Sequence, residues 1–328
     1  MTTNTVSVLG AGAFGTALAL AFARSGRDVL LWGRDEARLA QMARERICGP
    51  AFPGIPLEPR ILPMPDLARA AQAPVLVIAV PTQALRQVCE AVGLLLPPGR
   101  AVISAAKGIE QRTGQFVTEI MAEELGAQRF GVLSGPSFAL DIAHGQPTAV
   151  SLATSDPTDA QVLAAHLGSP AFRIYHTNDV RGVEIGGAAK NVLAIAAGIV
   201  MGIGLGESAR AAIVTRGFAE MRRLASSLGA RPETLMGLSG LGDLLLTASS
   251  NQSRNFILGV RLGQGQSRAQ AVAGTLAEGA FTAAALDTLA CARGLDMPIS
   301  AGVRAVLDGT VSIKDAVNAL MTRPPREE

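Results

Sequence analysis

The first thirty residues carry a regular order of apolar and glycine-rich segments. Thr5–Leu9 (TVSVL) is a short apolar run typical of a buried strand, and residues 10–15 (GAGAFG) form a glycine turn. An apolar helical segment (Thr16–Arg24) and a second β-rich run (Asp28–Trp32) follow. Strand, glycine turn, helix and strand in this order predict a βαβ unit.

Further apolar runs alternate with helical segments as far as about residue 177. Continuous apolar strands separated by helices predict a mostly parallel sheet that is covered on both faces. The expected strands are Val75–Val80, Ala101–Ser104, Phe130–Ser134, Thr148–Leu152 and Phe172–Tyr175, and the expected helices are Gln83–Val92, Gly114–Leu125 and Asp159–Leu167.

Beyond His176 the strand pattern gives way to Ala-, Gly- and Leu-rich helical segments. We therefore predict an α/β Rossmann-type domain over residues 1–177 and an all-α second domain over residues 178–328. The helices expected in the second domain are Val183–Ile203, Ser208–Leu228, Ala280–Arg293 and Lys314–Met321.

Composition narrows the class of protein. The chain has 328 residues, of which 48% are hydrophobic and 17% charged, so it has the means to bury a large core and is not wholly disordered. A net charge of +2 argues against a nucleic-acid partner. Three scattered cysteines and three histidines show no metal-ligand spacing, so we expect no metal and no disulfide framework.

Two further features bear on localisation. The longest charge-free apolar stretch lies between Lys190 and Glu207, which is shorter than the ~20 residues that a membrane span needs. The first five residues lack the basic region of a signal peptide. We expect a cytoplasmic protein without an integral membrane segment.

The glycine turn has the composition of a dinucleotide cradle. A diphosphate needs close backbone approach and free N–H groups at a helix start. Gly10 and Gly12 suit that approach, and Gly15 lets the helix pack on the strand. Such a motif is weak alone, but here it stands directly between a strand and a helix.

The residues after the second strand bear on the kind of dinucleotide. An acidic side chain there would bind ribose hydroxyls and repel a 2′-phosphate. This chain has Arg34 followed by Asp35. Arg34 could pair with a 2′-phosphate or stack on adenine, or be a solvated surface residue, while Asp35 could reach the ribose. The sequence therefore allows NADP(H) and does not exclude NAD(H).

Two more strand ends carry unusual residues. Lys107 follows the strand Ala101–Ser104, and Gly135-Pro136-Ser137 follows Phe130–Ser134. Because ligands of α/β sheets lie beyond the carboxyl ends of strands, we expect both segments to contribute to a site. Pro136 suits the first position of a helix, whose N–H groups would then face an anion.

Lys190 is the most unusual charged residue of the second domain. It lies within residues 186–198 (GGAAKNVLAIAAG), a helical stretch that is otherwise apolar. A lysine there either extends to the surface or faces a cleft. In a cleft, desolvation favours the neutral amine and suits proton transfer, so we predict a catalytic role.

Asp243 repeats the anomaly with the opposite charge, between a glycine turn and an apolar run in GLGDLLLT (240–247). It could be only the N-cap of a helix. The following NQSRN (251–255) brings together Ser253, Arg254 and Asn255, the donor types of a phosphate clamp, although a polar loop has the same composition. We expect Lys190 and Asp243 to lie together beside a dinucleotide.

Taken in order, these blocks resemble the bacterial-type NAD(P)-dependent sn-glycerol-3-phosphate dehydrogenases over nearly the whole chain. The resemblance implies reversible reduction of dihydroxyacetone phosphate to sn-glycerol 3-phosphate with NADP(H) or NAD(H), supply of glycerol 3-phosphate to phospholipids, a helical substrate-binding domain and a homodimer. It is carried by GAGAFG (10–15), AAKG (105–108), SGPSFA (134–139), GGAAKNVLAIAAG (186–198), GLSGLGDLLLT (237–247) and NQSRN (251–255).

The resemblance also implies roles for single residues. Lys190 matches the proton acceptor and donor of the family. Substrate-holding positions match Lys107, Gly135, Ser137, Lys190, Asp243, Ser253, Arg254 and Asn255. Cofactor-binding positions match Ala13, Phe14, Arg34, Lys107, Ala139, Arg254, Leu276 and Glu278, in addition to Gly10, Gly12 and Gly15; the family often has Val-Val-Glu-Gly where this chain has residues 276–279 (LAEG).

Three alternatives remain at this point. Another two-domain hydroxyacid or 6-phosphogluconate-type dehydrogenase would also place a Lys-Asn pair on a helix, but NQSRN and GLGDLLLT argue against it. A catalytically silent NAD(P)-binding regulator would not need Lys107, Lys190 and Asp243 together. Peripheral membrane attachment would require the apolar stretch after Lys190 to be exposed.

Overall fold

The computed structural model describes residues 4–274 and 276–324. The chain forms two compact units, which we call the N-terminal and the C-terminal unit. The N-terminal unit comprises the chain as far as Lys107 together with Gln115–Glu184, and the C-terminal unit comprises Gly108–Gly114 and the chain from Ile185 onward. The strand-rich part of the chain ends at Thr177.

The N-terminal unit is built on an eight-stranded sheet with the strand order β3-β2-β1-β4-β5-β6-β7-β8. All neighbouring strands run parallel except β6 and β7, which are antiparallel. The predicted fold class, a mostly parallel Rossmann-type sheet followed by a helical domain, is therefore confirmed. The strands are β1 (Thr5–Leu9), β2 (Asp28–Trp32), β3 (Ile61–Met64), β4 (Val75–Ile78), β5 (Ala101–Ser104), β6 (Arg129–Ser134), β7 (Thr148–Thr154) and β8 (Phe172–Thr177).

Helices cover this sheet because its strands are apolar on both faces. The central strands β1, β4 and β5 are buried at every position, and their side chains enter two buried apolar clusters. The helices of this unit are α1 (Ala13–Arg24), α2 (Glu36–Glu45), α3 (Leu67–Ala70), α4 (Thr82–Gly93), α5 (Val117–Leu125), α6 (Ala139–Ala143) and α7 (Pro157–Leu167), with a short 3₁₀ turn at Gly49–Ala51.

Strand β3 has no counterpart among the predicted strands. It contains Pro63, which has no N–H to donate and therefore argues against a central strand. The structure resolves the conflict because β3 is an edge strand that pairs only with β2. A proline is tolerated at that place in a sheet.

The C-terminal unit contains helices from the second half of the chain. Helix α8 (Val180–Gly202) begins in the N-terminal unit and continues into this one. It packs closely on α12 (Arg254–Gly263), since a Cβ on Gly198 would lie 2.1 Å from the carbonyl oxygen of Phe256. The other helices are α9 (Gly206–Ser227), α10 (Pro232–Met236), α11 (Asp243–Thr247), α13 (Arg268–Val272), α14 (Glu278–Cys291), α15 (Pro298–Asp308) and α16 (Ile313–Met321), with a π-helical turn at Leu238–Gly242.

Within the described part of the chain, α8 alone is long and apolar enough to pass the length and composition test for a membrane span. Its most apolar window of 18 residues is 89% buried inside the protein. Residues 191–200 of the stretch that follows Lys190 are all buried, whereas Leu205 near its end is exposed.

Candidate active site

A cavity of about 300 Å³ lies at the carboxyl ends of three neighbouring strands of the N-terminal unit. Gly10, Gly33 and Ala79 line it, and each follows directly on β1, β2 or β4. The strand order reverses between β1 and β4, which is where α/β sheets of this kind bind their ligands. The predicted glycine turn therefore lines a cavity at the expected place.

The cradle fits a dinucleotide diphosphate. A Cβ on Gly12 would meet no atom of the described residues within 4 Å, so their packing does not itself require glycine there, whereas an approaching diphosphate does. Gly12 is the N-cap of α1, no side chain caps that helix, and its first turn has no acidic residue. The first N–H groups of α1, at Ala13 and Phe14, are thus suited to an anion.

Gly10 and Gly15 serve the packing of the turn itself. Gly10 has a φ of +123°, a backbone conformation that residues other than glycine rarely adopt. A Cβ on Gly15 would lie 1.9 Å from the carbonyl oxygen of Gly10, so only glycine lets α1 start this close to β1. Gly10 and Gly15 are thus needed for the backbone geometry of the turn, whereas Gly12 leaves space for a ligand.

Arg34 and Asp35, which follow β2, line the same cavity, and so does Arg38 on α2. Arg34 is exposed. Asp35 is the N-cap of α2, and its Oδ1 accepts a hydrogen bond of 2.9 Å from the backbone N–H of Arg38. One carboxylate oxygen of Asp35 is therefore committed to the helix. Arg38, which also lines the cavity, did not emerge from the sequence.

The predicted residues after β5 and β6 come together in the N-terminal unit. Lys107 Nζ donates to the carbonyl oxygen of Gly135 at 2.9 Å and lies 3.5 Å from Ser137 Oγ. The Ser137 hydroxyl also donates to Gly135 O, at 2.8 Å. Phe14 belongs to this group, because the Lys107 ammonium lies 5.7 Å from the centre of its ring. An ammonium and a hydroxyl are thus held next to each other.

The expectation for Pro136 is wrong. Helix α6 begins at Ala139 and has Phe138 as its N-cap, so Pro136 lies in a bend before the helix. Gly135, with φ at +147°, makes the sharp turn out of β6, and a Cβ there would lie 2.8 Å from Val150 Cα. Ala139 is half-buried and packs against the apolar cluster of the sheet.

Lys190 and Asp243 form a buried ion pair in the C-terminal unit. Lys190 Nζ lies 2.6 Å from Asp243 Oδ1 and donates to Thr247 Oγ1 at 2.8 Å. The three residues are 6%, 1% and 4% exposed. In such surroundings the carboxylate stabilises the ammonium strongly, because little water screens the two charges. This cluster can hold a proton on Lys190 Nζ and give it up when a stronger base appears.

Local backbone geometry explains how the pair forms. Asp243 does not cap a helix: the chain is already helical at Gly242 through the π turn Leu238–Gly242, and Asp243 continues it. The N-cap interpretation of Asp243 is therefore wrong. A Cβ on Gly186 would lie 2.5 Å from the carbonyl oxygen of Ser239, so glycine lets α8 pass against the π turn. Lys190 is one helical turn further along α8.

The predicted phosphate clamp forms the start of α12. Ser253 caps that helix, its Oγ accepting a 3.2 Å hydrogen bond from Phe256 N. Arg254 is exposed, and its guanidinium makes no hydrogen bond or ion pair to any residue that the structure describes. A cation at a helix start with no protein partner is suited to an anionic ligand.

Asn255 is placed differently from Arg254. Its amide is buried and donates to Asn191 Oδ1 at 2.8 Å, while its own Oδ1 accepts from Gly279 N at 2.9 Å. The side chain thus ties α12 to α8 and α14. Its substrate contact stays a prediction, for which one amide hydrogen and the backbone N–H at the helix start are the relevant groups.

The remaining cofactor candidates, Leu276 and Glu278, belong to the C-terminal unit. Leu276 is 41% exposed, and Glu278 is the half-buried first residue of α14. Their cofactor contacts stay predictions. Across residues 4–274 and 276–324, no group of three or more His, Cys, Asp or Glu side chains is arranged to hold a metal ion.

Sequence reasoning missed three residues of these clusters. Thr247 is four positions after Asp243, so the helical spacing would have placed this pair on one face. Arg38 lies in the first turn of α2, whereas Arg34 precedes the N-cap Asp35, so no helical period links the two arginines. Asn191 was noted only as the neighbour of Lys190. Its contact with Asn255 joins residues 64 positions apart and leaves no local signal in the chain.

A diphosphate cradle at the switch point of a parallel sheet, with a buried lysine–aspartate pair in a helical unit, defines an NAD(P)-dependent dehydrogenase. The comparison with protein-family models is more specific. Residues 5–160 match the N-terminus, and residues 179–318 the C-terminus, of NAD-dependent glycerol-3-phosphate dehydrogenase. The chain belongs to the NAD-dependent glycerol-3-phosphate dehydrogenase family.

Similar proteins agree with this family. A glycerol-3-phosphate dehydrogenase (NAD(P)+) of Azorhizobium caulinodans is 54% identical over 98% of both chains. One from a Bradyrhizobium species is 55% identical over 99% of this chain and 98% of its own. The crystal structure of glycerol-3-phosphate dehydrogenase from Coxiella burnetii superposes with a TM-score of 0.92 at 36% identity, covering 98% of this chain and 99% of that one. The predicted family, enzyme class and NAD(P) cofactor are confirmed.

Proposed function

We propose that this chain reduces dihydroxyacetone phosphate to sn-glycerol 3-phosphate, reversibly, with Lys190 as the proton donor. When bound, the reduced nicotinamide supplies the hydride that the ketone carbon receives. The observation that carries the proposal is the buried cluster of Lys190, Asp243 and Thr247, with its 2.6 Å ion pair. The substrate is inferred from the names of the relatives, and the cluster contains the acid that the reduction needs.

Lys190 donates and accepts the proton in the proposed reaction. As the carbonyl oxygen gains negative charge, the Nζ of Lys190 gives it a proton and becomes neutral. Asp243 holds the ammonium protonated until that moment, and Thr247 Oγ1 fixes the direction of Nζ through its 2.8 Å contact. In the oxidative direction the neutral amine takes the proton from the alcohol. A positioned proton-transfer group of this kind contributes roughly 10²–10⁴-fold in rate.

The start of α12 holds the substrate phosphate. Arg254 offers a planar guanidinium without a partner among the described residues, and the first N–H groups of the helix add partial positive charge. Ser253 and Asn255 complete this grip. The binding energy of the phosphate holds the ketone carbon for reaction, so the clamp acts on catalysis through position.

The N-terminal unit holds the dinucleotide. Gly10, Gly12 and Gly15 form its cradle, Ala13 and Phe14 supply N–H groups, and Arg34 binds the adenosine ribose end. Lys107 with Gly135 and Ser137 binds substrate, and Lys107 and Ala139 also meet the cofactor. Arg254, Leu276 and Glu278 are the cofactor-binding residues of the C-terminal part. These roles rest on the resemblance, and the contacts within each cluster support them.

The wider setting belongs to the same proposal. We assign dinucleotide binding to residues 1–177 and substrate binding to residues 178–328. We expect a cytoplasmic homodimer without nucleic-acid partners that supplies glycerol 3-phosphate for phospholipid synthesis. Gel filtration with light scattering tests the dimer, and a monomer at working concentrations would remove it from the proposal.

The decisive test is a steady-state assay that follows NADPH or NADH absorbance with dihydroxyacetone phosphate. The wild type should turn over, and Lys190→Met should lose at least about 100-fold in kcat. Lys314→Met, which removes an exposed lysine of α16, is the matched control and should keep wild-type turnover. Nucleotide binding measured by calorimetry should be unchanged in both variants. Wild-type kcat in Lys190→Met would refute the proposed role of this residue.

A further inference from the structure

We propose that Arg38 binds the 2′-phosphate of NADP(H) and, together with Arg34, makes this chain prefer NADP(H) over NAD(H). The inference rests on the proposed function in one respect, namely that the cavity at the ends of β1, β2 and β4 holds a dinucleotide. It adds a residue that discriminates between the two cofactors, a choice that Arg34 and Asp35 left open in the sequence.

Arg38 lies where the 2′-phosphate of a bound NADP(H) is expected. It lies on the first turn of α2, four residues after Arg34, and both arginines line the cavity. The cavity wall they form follows the end of β2, the place where Rossmann-type sheets bind the adenosine ribose. A 2′-phosphate on that ribose would therefore come to a wall with two guanidinium groups.

The guanidinium of Arg38 also has a hydrogen-bond donor that is unused among the described residues. Its Nε is buried and has no hydrogen-bond partner among the described residues, and no ion pair engages its guanidinium there. The turn at Gly49 passes beside this atom, since a Cβ on Gly49 would lie 3.8 Å from it. A buried donor without a partner costs free energy. An oxygen-rich anion supplies the missing acceptor.

Arg46 is a nearby arginine with a structural role, and its hydrogen bonds can be compared with those of Arg38. Arg46, directly after α2, donates to the carbonyl oxygens of Ile61 at 3.0 Å and Glu58 at 2.6 Å. Its guanidinium is satisfied by the protein and holds the loop before β3. Arg38 makes no such bonds to the residues that the structure describes, so its guanidinium does not have this function.

The charges around the two arginines favour a phosphate over ribose hydroxyls. Asp35 is the carboxylate of the cavity wall, and its Oδ1 is held by Arg38 N at the start of α2. Glu36, in the first turn of α2, is exposed. An acidic residue that binds the ribose stands at the strand end in NAD-specific sites, whereas here Arg34 precedes the acid. Two cations against one helix-bound carboxylate attract a dianion.

The test compares two ligands that differ only in the 2′-phosphate. Adenosine 2′,5′-bisphosphate and adenosine 5′-monophosphate are titrated by calorimetry into wild type, Arg38→Gln and Arg44→Gln. Arg44 is an exposed arginine of the same helix, so Arg44→Gln removes the same charge away from the cavity. The fluorescence of Trp32, the only tryptophan of the chain and a lining residue of the cavity, is a second readout.

We expect the wild type to bind the bisphosphate at least about tenfold more tightly than the monophosphate, because a charged hydrogen bond to a phosphate is worth at least that factor. Arg38→Gln should abolish most of this preference and leave the monophosphate affinity within about twofold. Arg44→Gln should behave as wild type. The dissociation constants of NADPH and NADH should follow the same pattern.

Three outcomes would overturn the proposal. These are equal binding of both ligands by the wild type, an unchanged bisphosphate affinity in Arg38→Gln, and an equal loss for both ligands, which would mean a structural role. If Arg38→Gln fails to fold, Arg38→Lys keeps the charge without the fork and should lose several-fold in bisphosphate affinity alone. No titration contains dihydroxyacetone phosphate, so the result is independent of whether the enzyme turns that substrate over.

Discussion

Lys190 Nζ and Asp243 Oδ1 lie 2.6 Å apart in a part of the protein where both side chains are almost fully buried. The two residues are 53 positions apart in the chain, and α8 and the π turn before α11 bring them together. Each charge is expensive to bury alone, and each is tolerable beside the other. The pair therefore bears on the stability of the fold as well as on the proposed proton transfer.

The first prediction separates these two contributions. Asp243→Asn leaves the Lys190 ammonium buried without its counter-ion, and Lys190→Met leaves the carboxylate in the same position. Each single variant should lower the free energy of unfolding by about 3–5 kcal/mol. The double variant Lys190→Met/Asp243→Leu buries two apolar side chains instead and should recover most of this loss. Urea unfolding followed by circular dichroism measures all four proteins.

Turnover should behave in the opposite way from stability. The double variant should remain at least about 100-fold below wild type in kcat, since it lacks the proposed proton donor. If the double variant is no more stable than either single variant, the side chains do not interact as the structure shows. If the double variant regains turnover, Lys190 is not the donor.

Much of the fold could be predicted because it depends on local patterns. The unit from β1 through α1 to β2 follows from residues 5–32, where apolar periods and glycines agree. Strand β3 could not be found, because Pro63 gives a local signal against a strand and only its edge position removes the objection.

The candidate site was predictable to a different degree. A charge in an apolar run, as at Lys190 and Asp243, is visible in the chain, so both residues could be singled out. The Asn255 side chain donates to Asn191 and accepts from Gly279, and both hydrogen bonds join segments that are far apart in the chain. Such contacts leave no periodicity to find.

The second prediction concerns the phosphate clamp. Arg254→Gln removes the guanidinium at the start of α12 and should raise the KM for dihydroxyacetone phosphate about 10- to 100-fold, the worth of a charged hydrogen bond. Folding should be unaffected, because Arg254 is exposed and has no protein partner among the described residues. Arg222→Gln, at an exposed arginine of α9, is the control and should keep the wild-type KM. An unaltered KM in Arg254→Gln would exclude this residue from the clamp.

The third prediction contrasts two glycines of the cradle. A Cβ at position 12 would meet no atom within 4 Å in the part of the chain that the structure describes. Gly12→Ala should therefore change the free energy of unfolding by no more than about 1 kcal/mol, the size of a capping effect. Its methyl group takes up space that the diphosphate needs, so NADPH affinity measured by calorimetry should fall at least about tenfold.

Gly15→Ala should instead lower mainly the stability of the protein. Its Cβ would lie 1.9 Å from the carbonyl oxygen of Gly10, and forcing α1 away from β1 should cost about 1–3 kcal/mol or more of stability. Thermal unfolding of the two variants without nucleotide makes the comparison. Equal destabilisation would show that Gly12 is needed for packing, and an unaffected NADPH affinity in Gly12→Ala would show that the diphosphate does not lie over it.

The fourth prediction follows from Glu184, a buried carboxyl of α8 in the N-terminal unit. Burial raises the pKa of Glu184 to about 7 from its ordinary value of 4.5, although the Arg181 guanidinium and hydrogen bonds from Thr118 lower it. Glu184 Oε1 accepts from both the N–H and the hydroxyl of Thr118, at 2.9 and 2.7 Å. Arg181 also pairs with Glu119 on α5, which adds a second negative charge nearby.

The sign of the effect follows from proton binding. Between about pH 4.5 and 7 the folded state keeps the Glu184 proton whereas the unfolded chain has released it, so stability falls as the pH rises through this window. The difference in pKa corresponds to about 3 kcal/mol. Glu184→Gln has no proton to lose, and its free energy of unfolding should therefore fall less than that of wild type between pH 5 and pH 8. Urea unfolding at half-unit pH steps measures both profiles.

The control for this prediction is Glu233→Gln, which removes an exposed carboxyl of α10. Its profile should run parallel to that of wild type, because this substitution leaves Glu184 in place. The profile of Glu184→Gln should instead converge on that of wild type at acid pH and lie above it at pH 8. Parallel profiles for wild type and Glu184→Gln would mean that Glu184 is ionised throughout the range, with Arg181 outweighing the cost of its burial.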